Sequence, residues 1–261
     1  MTALPRRVIH IASGREWRGG QNQVLLLAGA LAMAPDPVDQ IVVTGVGSLL
    51  ATRLSAAGVP VRAVGWRAGL SPSALIGTLH EISRRPALLH AHDAHALTLA
   101  GIAGGLTGTP FVVTRRVDFP LRRLGFWLRA DRVVAISEAV RSRLISDGIA
   151  PERVAIVHSG IDVEAVAAVR AGTIRAEVGL PAEGPLVVAV GALDSHKDHA
   201  TLVEAAATLR ARRSNLHWAI AGEGPLRGAL EALIHNRELT GKVHLLGHLR
   251  EPLRLVAAAD V

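Results

Sequence analysis

Short, nearly continuous apolar runs alternate along the chain with longer stretches whose apolar residues recur every three or four positions. The runs at Val8–Ala12, Gln40–Thr44, Val61–Val64, Leu88–His92, Phe111–Thr114, Arg132–Ile136 and Val154–Val157 have the length and apolarity of strands buried on both faces. Between them Gln21–Ala32, Ser48–Ala57, Ser71–Arg84 and Glu138–Asp147 carry the helical period. Alternation of this kind predicts an α/β fold, a parallel sheet with helices on both faces. Around Asp162–Arg175 the pattern loosens, and Pro181-Ala-Glu-Gly-Pro185 reads as a linker. It then restarts, with strands expected at Leu186–Val190, Leu216–Ala221 and Val243–Leu246. The expected division is a first domain over residues 1–168, a linker over 169–185 and a second domain over 186–261. The second shows three strands, with Ala258–Val261 as the run-in to a fourth, so an incomplete sheet is expected there.

Composition narrows the chemistry. Of 261 residues, 49% are apolar and 20% charged, a globular balance,. With only 3 Phe, 4 Trp and no Tyr, the core must be built from Val, Leu, Ile and Ala. The chain has no cysteine, which excludes disulfides, thiolate metal ligands and a cysteine nucleophile. Arg6, Arg7, His10 and Arg15 break up the start, where a secretory leader would be apolar,. No stretch of 18 apolar residues offers a membrane span. A soluble, cytoplasmic protein is the expectation. Charge is uneven: residues 1–168 hold 18 basic and 12 acidic side chains, residues 169–261 hold 11 and 10. The basic half suits anionic lipid, nucleic acid or a phosphorylated substrate, and charge alone leaves all three open.

Four places carry candidate chemistry. Residues 186–205, LVVAVGALDSHKDHATLVEA, read as a buried strand, a polar turn and a helix starting near Ala200. Lys197 lies in the turn, where helix N–H groups point at a ligand. It is one of two lysines among 29 basic residues, and a compact ammonium suits a phosphate; a solvated loop lysine is the plain alternative. The first turn, Ser13–Gln23, fails both the dinucleotide fingerprint and the P-loop pattern. It keeps the Gly19-Gly20 pair, which lets backbone N–H groups approach an anion or simply makes a flexible loop. In His90-Ala-His-Asp93, His90 and His92 share one strand face at the sheet's C-terminal end. A metal there would need a third ligand, for which only His95 is near, and a capping or core histidine is the alternative. Lastly, Phe119–Arg129 mixes bulky apolar residues with Arg122, Arg123 and Arg129; it fits an anionic membrane surface or ordinary core packing.

The order and spacing of these motifs resemble the retaining family 4 glycosyltransferases of GT-B fold. Trp17, Gly19, Gly20, Gln23, Val24, Leu27 and Leu31 match the family's "W.GG.e.qv..La..L" opening. His90–Asp93 matches "vHaHd", Arg132–Glu138 matches "ad.vvavS" with Ser137 as a helix cap, and His158–Asp162 matches "v.nGvd" with His158 for the usual Asn. Residues 186–205 match "vGrL…KG…tLieA" with Ala192 where the family has Arg, and Gly222–Arg227 matches "GeGp.r". The resemblance implies two Rossmann-like domains, the second cut short, and transfer of a sugar from a nucleoside-diphosphate sugar to an acceptor with retention. It implies neither metal nor other cofactor. Donor and phosphate contacts fall on Gly19, Gly20, Lys197, Gly222, Glu223 and Gly224, and a catalytic place beside the sugar on His92. The acceptor is expected near Gly19, Gly20 and His92. Glu223 and Glu231 copy the E-x7-E spacing of the family's donor-binding pair. That pair belongs to a "PS..EG…EAma" segment beyond Asp260-Val261, so its roles are not transferred. Expected partners are the nucleotide sugar, an unspecified acceptor and peripheral contact with the anionic inner face of a membrane, with no nucleic acid. A GT-B epimerase and a non-catalytic binding remnant are the rival readings.

Overall fold

A computed structural model describes residues 7–66, 71–121, 124–213 and 215–261; Arg122 and Arg123 lie outside them. The chain forms two compact units that meet in sequence at Ile161 and Asp162.

The first unit is a parallel sheet of seven strands: β1 (Arg7–Ala12), β2 (Asp39–Gly45), β3 (Val61–Val64), β4 (Leu88–Ala91), β5 (Phe111–Arg115), β6 (Arg132–Ala135) and β7 (Val154–Ile156). Their order is β3-β2-β1-β4-β5-β6-β7. The chain winds outward in both directions from β1 and β4, so the crevice beyond the ends of these two strands is the switch point where such sheets take ligands. The helices are α1 (Gly19–Met33), α2 (Leu49–Ala56), α3 (Pro72–Arg84), α4 (Ala94–Thr107) and α5 (Glu138–Ser146). Side-chain oxygens of Ser48, Ser71, Asp93 and Ser137 accept from the third backbone N–H of α2, α3, α4 and α5 respectively, which satisfies one otherwise unpaired donor at each start.

Alternating strand residues build two cores. Ile9, Ile11, Val43, Leu89, Ala91 and Val113 are buried on one face with Ala96, Leu99 and Ala100 of α4. Ala12 and Val42 pack on the other with Val24 and Ala28 of α1 and Leu50 and Leu54 of α2. α4 is apolar all round and buried at half of its positions, so it lacks the stripe that marks an amphipathic helix. Its glycines allow close packing: a Cβ on Gly101 would run into the Phe126 ring, and one on Gly104 would lie 2.7 Å from the Thr109 carbonyl oxygen.

A charged pair, Glu81 and Arg7, is buried in this unit. The Glu81 side chain on α3 is only 1% exposed. Arg7 of β1 donates to its carboxylate at 2.6 Å and to its backbone carbonyl at 2.6 Å, and Arg62 of β3 donates to the other carboxylate oxygen at 2.6 Å. Burial opposes ionisation, but the two guanidiniums outweigh it and hold the carboxyl below its usual range,.

Phe119–Arg129 forms no long helix. A 3₁₀ turn over Gly125–Arg129 buries Trp127 and packs Phe126 on the core, while Phe119 and Leu128 stay half exposed. No described helix is long and apolar enough to cross a membrane.

The second unit contains α6 (Val163–Ala168), α7 (Ile174–Glu177), β8 (Leu186–Val190), α8 (His199–Leu209), β9 (His217–Ala221), α9 (Arg227–Asn236), β10 (Val243–Gly247) and α10 (Pro252–Ala257). Its three strands are parallel in the order β10-β9-β8. Along the other edge of β8, the Asp260 N–H donates to the Leu186 carbonyl and the Val188 N–H to the Val261 carbonyl, both at 2.9 Å. Trp218, Ile220, Val203, Leu230 and Ile234 form one core layer; Ile174, Leu180, Leu186 and Leu255 form the other. Burial of Ile174 and Leu180 draws part of the expected linker into this unit. The boundary at 161/162 therefore precedes the expected one at 168. The Ala/Arg composition of the segment hides two apolar anchors between exposed positions.

Candidate active site

In the first unit the candidate site residues gather toward the C-terminal ends of β1, β4 and β5. β1 and β4 pair in register with His10 opposite His90, and His92 follows two residues later on the same face. The rings lie close: centroids are 4.0 Å apart for His90 and His92, 5.2 Å for His10 and His92, and 5.5 Å for His10 and His90. His10 Nδ1 and His92 Nε2 are hydrogen bonded at 3.0 Å, and His90 Nε2 bonds the Thr114 hydroxyl at 2.8 Å. Burial is the main cause of lowered basicity in all three. It takes His10 to about 4 against a weak opposing pull from Gln40, and His90 to about 3 with help from His10 and Arg116. His92 is also pushed well below its ordinary value, by burial, by the other two rings and by Arg116. All three are therefore neutral at pH 7.

Nitrogen atoms of the three rings lie within 4.8 Å of one another, close enough to hold a metal ion. The donor set fits one poorly. Its shortest pair is already joined by a hydrogen bond, and the Arg116 guanidinium beside His92 opposes a second cation there,. His95 stands exposed on the first turn of α4 and takes no part.

Arg116 is a candidate site residue that the sequence alone does not single out. It follows β5, donates from Nη1 to the His92 carbonyl at 3.1 Å and from Nη2 to His92 Nδ1 at 3.4 Å, and is partly buried. Its Cδ lies 3.9 Å from where a Cβ on Gly20 would stand, so the side-chain stem passes the start of α1. The signal available in the sequence was its position, just past the C-terminal end of a parallel strand. Asp93 ties the turn down: its carboxylate caps α4 and accepts from the Ser13 N–H at 2.7 Å and the Ser13 hydroxyl at 2.6 Å. Gly19, Gly20 and His92 are thus neighbours through Arg116.

In the second unit the turn after β8 and the turn after β9 fit backbone to backbone. A Cβ on Gly222 would collide with the Gly191 carbonyl and one on Gly224 with the Leu193 carbonyl. Leu193 N–H donates to the Glu223 carbonyl, and Leu226 N–H to the Leu193 carbonyl, both at 3.0 Å. Gly222 and Gly224 are needed for that approach. The Lys197 stem runs along Gly191, within 3.6 Å of where its Cβ would be. No carboxylate among the described residues pairs with its exposed ammonium. α8 begins at His199, whose ring is buried against the Ala192 carbonyl at 3.2 Å. Glu223 is committed elsewhere: Arg227 donates to it at 2.8 Å and to Glu231 at 2.9 Å. Both acids of the E-x7-E spacing are thus bound to one arginine, a surface clamp across one helical turn. Lys197 and Gly222–Gly224 are brought together around Gly191; Arg227 is occupied by its two glutamates.

Sequence comparison places the chain. Residues 17–165 match the model described as Glycosyltransferase Family 4, and residues 171–261 match Glycosyl transferases group 1. The chain belongs to glycosyltransferase family 4. It is 30% identical over 133 residues to an N-acetylgalactosaminyltransferase of Campylobacter jejuni acting on a diphospho-undecaprenol-linked sugar, covering 51% of this chain and 34% of that protein. It is 27% identical over 206 residues to alpha-maltose-1-phosphate synthase of Mycobacterium tuberculosis, covering 67% and 52%. The chain thus spans between a third and about half the length of these relatives. The structure of Anabaena Alr3699/HepE in complex with UDP-glucose matches with a TM-score of 0.79 at 18% identity, over 97% of this chain and 72% of that one. A glycosyltransferase from Rickettsia africae matches with a TM-score of 0.78 at 16% identity, over 97% and 71%. At such identities the likeness is one of fold, the α/β GT-B class with two Rossmann-like units.

Proposed function

We propose that the chain is the sugar-transferring part of a retaining glycosyltransferase whose donor is a nucleoside-diphosphate sugar. The observation that carries this reading is Lys197: an ammonium without a carboxylate partner among the described residues, its stem laid along Gly191 just past the end of parallel strand β8, next to the glycine-bounded turn 222–224. A departing diphosphate needs fixed positive charge, and a preset lysine supplies it without solvent rearrangement. No divalent cation is required for that step, and chelators should leave turnover unchanged. The sugar-transferring relatives support this reading over the epimerase and the binding remnant, and the UDP-bound neighbours suit a nucleotide-sugar donor. Lys197→Ala should weaken UDP binding by about 10- to 100-fold, the worth of a charged hydrogen bond. Calorimetry giving equal affinities for variant and parent would remove the basis of the proposal.

On the first unit, Gly19, Gly20 and the Arg116–His92 pair serve the acceptor and the transferring sugar in this reading. His92→Ala should lower turnover by roughly 100-fold, with nucleotide affinity changed less than threefold, because its loss frees Arg116 from its seat. Parallel losses in both quantities would instead mark His92 as a core residue. The half-exposed Phe119 and Leu128, on a basic unit, favour peripheral contact with an anionic membrane on the cytoplasmic side,.

A further inference from the structure

Two hydrogen bonds join Arg116 to His92 and His92 to His10, a third joins Gln40 to α1, and each of them admits a single direction. A guanidinium only donates, so His92 Nδ1, 3.4 Å from Arg116 Nη2, must be the acceptor. The His92 proton is then on Nε2, and the 3.0 Å bond to His10 Nδ1 runs from His92 to His10. His10 in turn carries its proton on Nε2. Gln40, on the neighbouring strand, spends its amide N–H on the Ala28 carbonyl of α1 at 2.7 Å, which leaves its Oε1 as an acceptor. His10 Nε2 and Gln40 Oε1 are both buried without an aligned hydrogen bond. They are complementary, and Gln40 favours a proton on the His10 ring. His10 is 1% exposed and Gln40 5%, so water does not substitute for either.

We propose that His10 and Gln40 are positioning residues that lock the tautomer and orientation of His92: two one-way hydrogen bonds run from Arg116 to His92 to His10, and Gln40, tied to α1 through the Ala28 carbonyl, offers the buried acceptor that matches the remaining His10 N–H. This rests on the reading that the end of the sheet serves sugar transfer. Reversing any link would set donor against donor or acceptor against acceptor inside the sheet face, which buried polar groups resist. The His92 lone pair is thereby kept on Arg116, whose side-chain stem passes Gly20 at the start of α1. The stack of His90 on His92, anchored by Thr114, limits rotation of the ring. These residues reach α1 twice, at its first turn along the Arg116 stem and at its middle through Gln40, so helix and site move together.

Long-range proton–nitrogen NMR of the ¹⁵N-histidine-labelled chain at pH 7 tests this directly. His92 and His10 are both expected as neutral rings protonated on Nε2. Arg116→Leu and His10→Leu should each shift His92 toward a tautomer mixture, whereas His10→Asn, which keeps an oxygen near the Nδ1 position, should restore the Nε2 form. Should His10→Leu fail to fold, Gln40→Met, of similar shape but without an acceptor, should shift the His10 resonances while leaving those of His90 in place. Turnover of a UDP-sugar should fall roughly tenfold in Gln40→Met at unchanged UDP affinity. An Nδ1-protonated or charged His92 in the parent chain would overturn the proposal, as would tautomers indifferent to both Arg116→Leu and Gln40→Met, or zinc titrating all three rings together. Predicted tautomers without turnover on any UDP-sugar would leave the relay standing and defeat the transfer reading instead.

Discussion

Acidification from pH 7 to about pH 4 should unfold the first unit. His10 is pushed to about 4 and His90 to about 3, chiefly by burial, and His92 is lowered further by its neighbours and Arg116. In the unfolded chain the same side chains titrate near 6.5. Between about 6.5 and 4 the unfolded state therefore binds more protons than the native one, and stability falls as pH falls through that window. His10 alone accounts for on the order of 3 kcal/mol, against a total of about 5–15 kcal/mol for an ordinary domain. Asp93, which attracts Arg116, already caps α4 and accepts from Ser13, and no carboxylate among the described residues acts on the three rings. Below this window the lowered carboxyl of Glu81 adds a second loss, because its favourable pairing disappears once it is protonated,. Urea titrations followed by circular dichroism at pH 7.5, 6, 5 and 4 would measure the slope. Stability that stays level down to pH 4 would mean that the histidines are hydrated, not buried.

Glu81→Ala should destabilise the first unit by about 3–5 kcal/mol, the usual cost of removing one partner from a buried ion pair. The carboxylate is 1% exposed and answers two guanidiniums, with the Arg7 side chain itself only 10% exposed. Its loss leaves Arg7 under the sheet with only the Glu81 backbone carbonyl and a longer 3.4 Å approach to Asp39. Arg62 is a third exposed and can turn toward water. Replacing Arg7, Arg62 and Glu81 together with apolar residues of similar volume should recover much of the loss. Thermal melts of the single and triple variants check both statements. A Glu81→Ala melt within 2 °C of the parent would contradict the assignment of a buried pair.

How much of this was legible beforehand depended on how far each signal travels along the chain. The strands were plain because they are written as short, nearly unbroken apolar runs, and Val61–Val64 and Leu186–Val190 appear with the expected bounds although both are only partly buried. α4 was less distinct, since a helix buried on most sides has no polar face to set its period. α6 and α7 were masked by the Ala/Arg composition of their segment. At the site, His90 and His92 stood out by their spacing and Lys197 by the rarity of lysine. Arg116, His10 and Gln40 did not, because their roles arise from contacts between strands; the His10–His92 bond joins residues 82 positions apart. Glu223 shows the opposite case. Its spacing to Glu231 imitates a donor site, and only the side-chain geometry reveals that Arg227 holds both.

The central claim is that the turn between β8 and α8 takes the diphosphate of a sugar nucleotide. The most direct measurement is a titration of the ¹⁵N-labelled chain with UDP, followed by amide shifts and repeated with Lys197→Ala. The account predicts saturable shifts centred on Gly191, Ala192, Lys197 and Gly222–Gly224, with the midpoint moved about 10- to 100-fold higher in the variant. Shifts that avoid these residues, or a midpoint unchanged by Lys197→Ala, would contradict it.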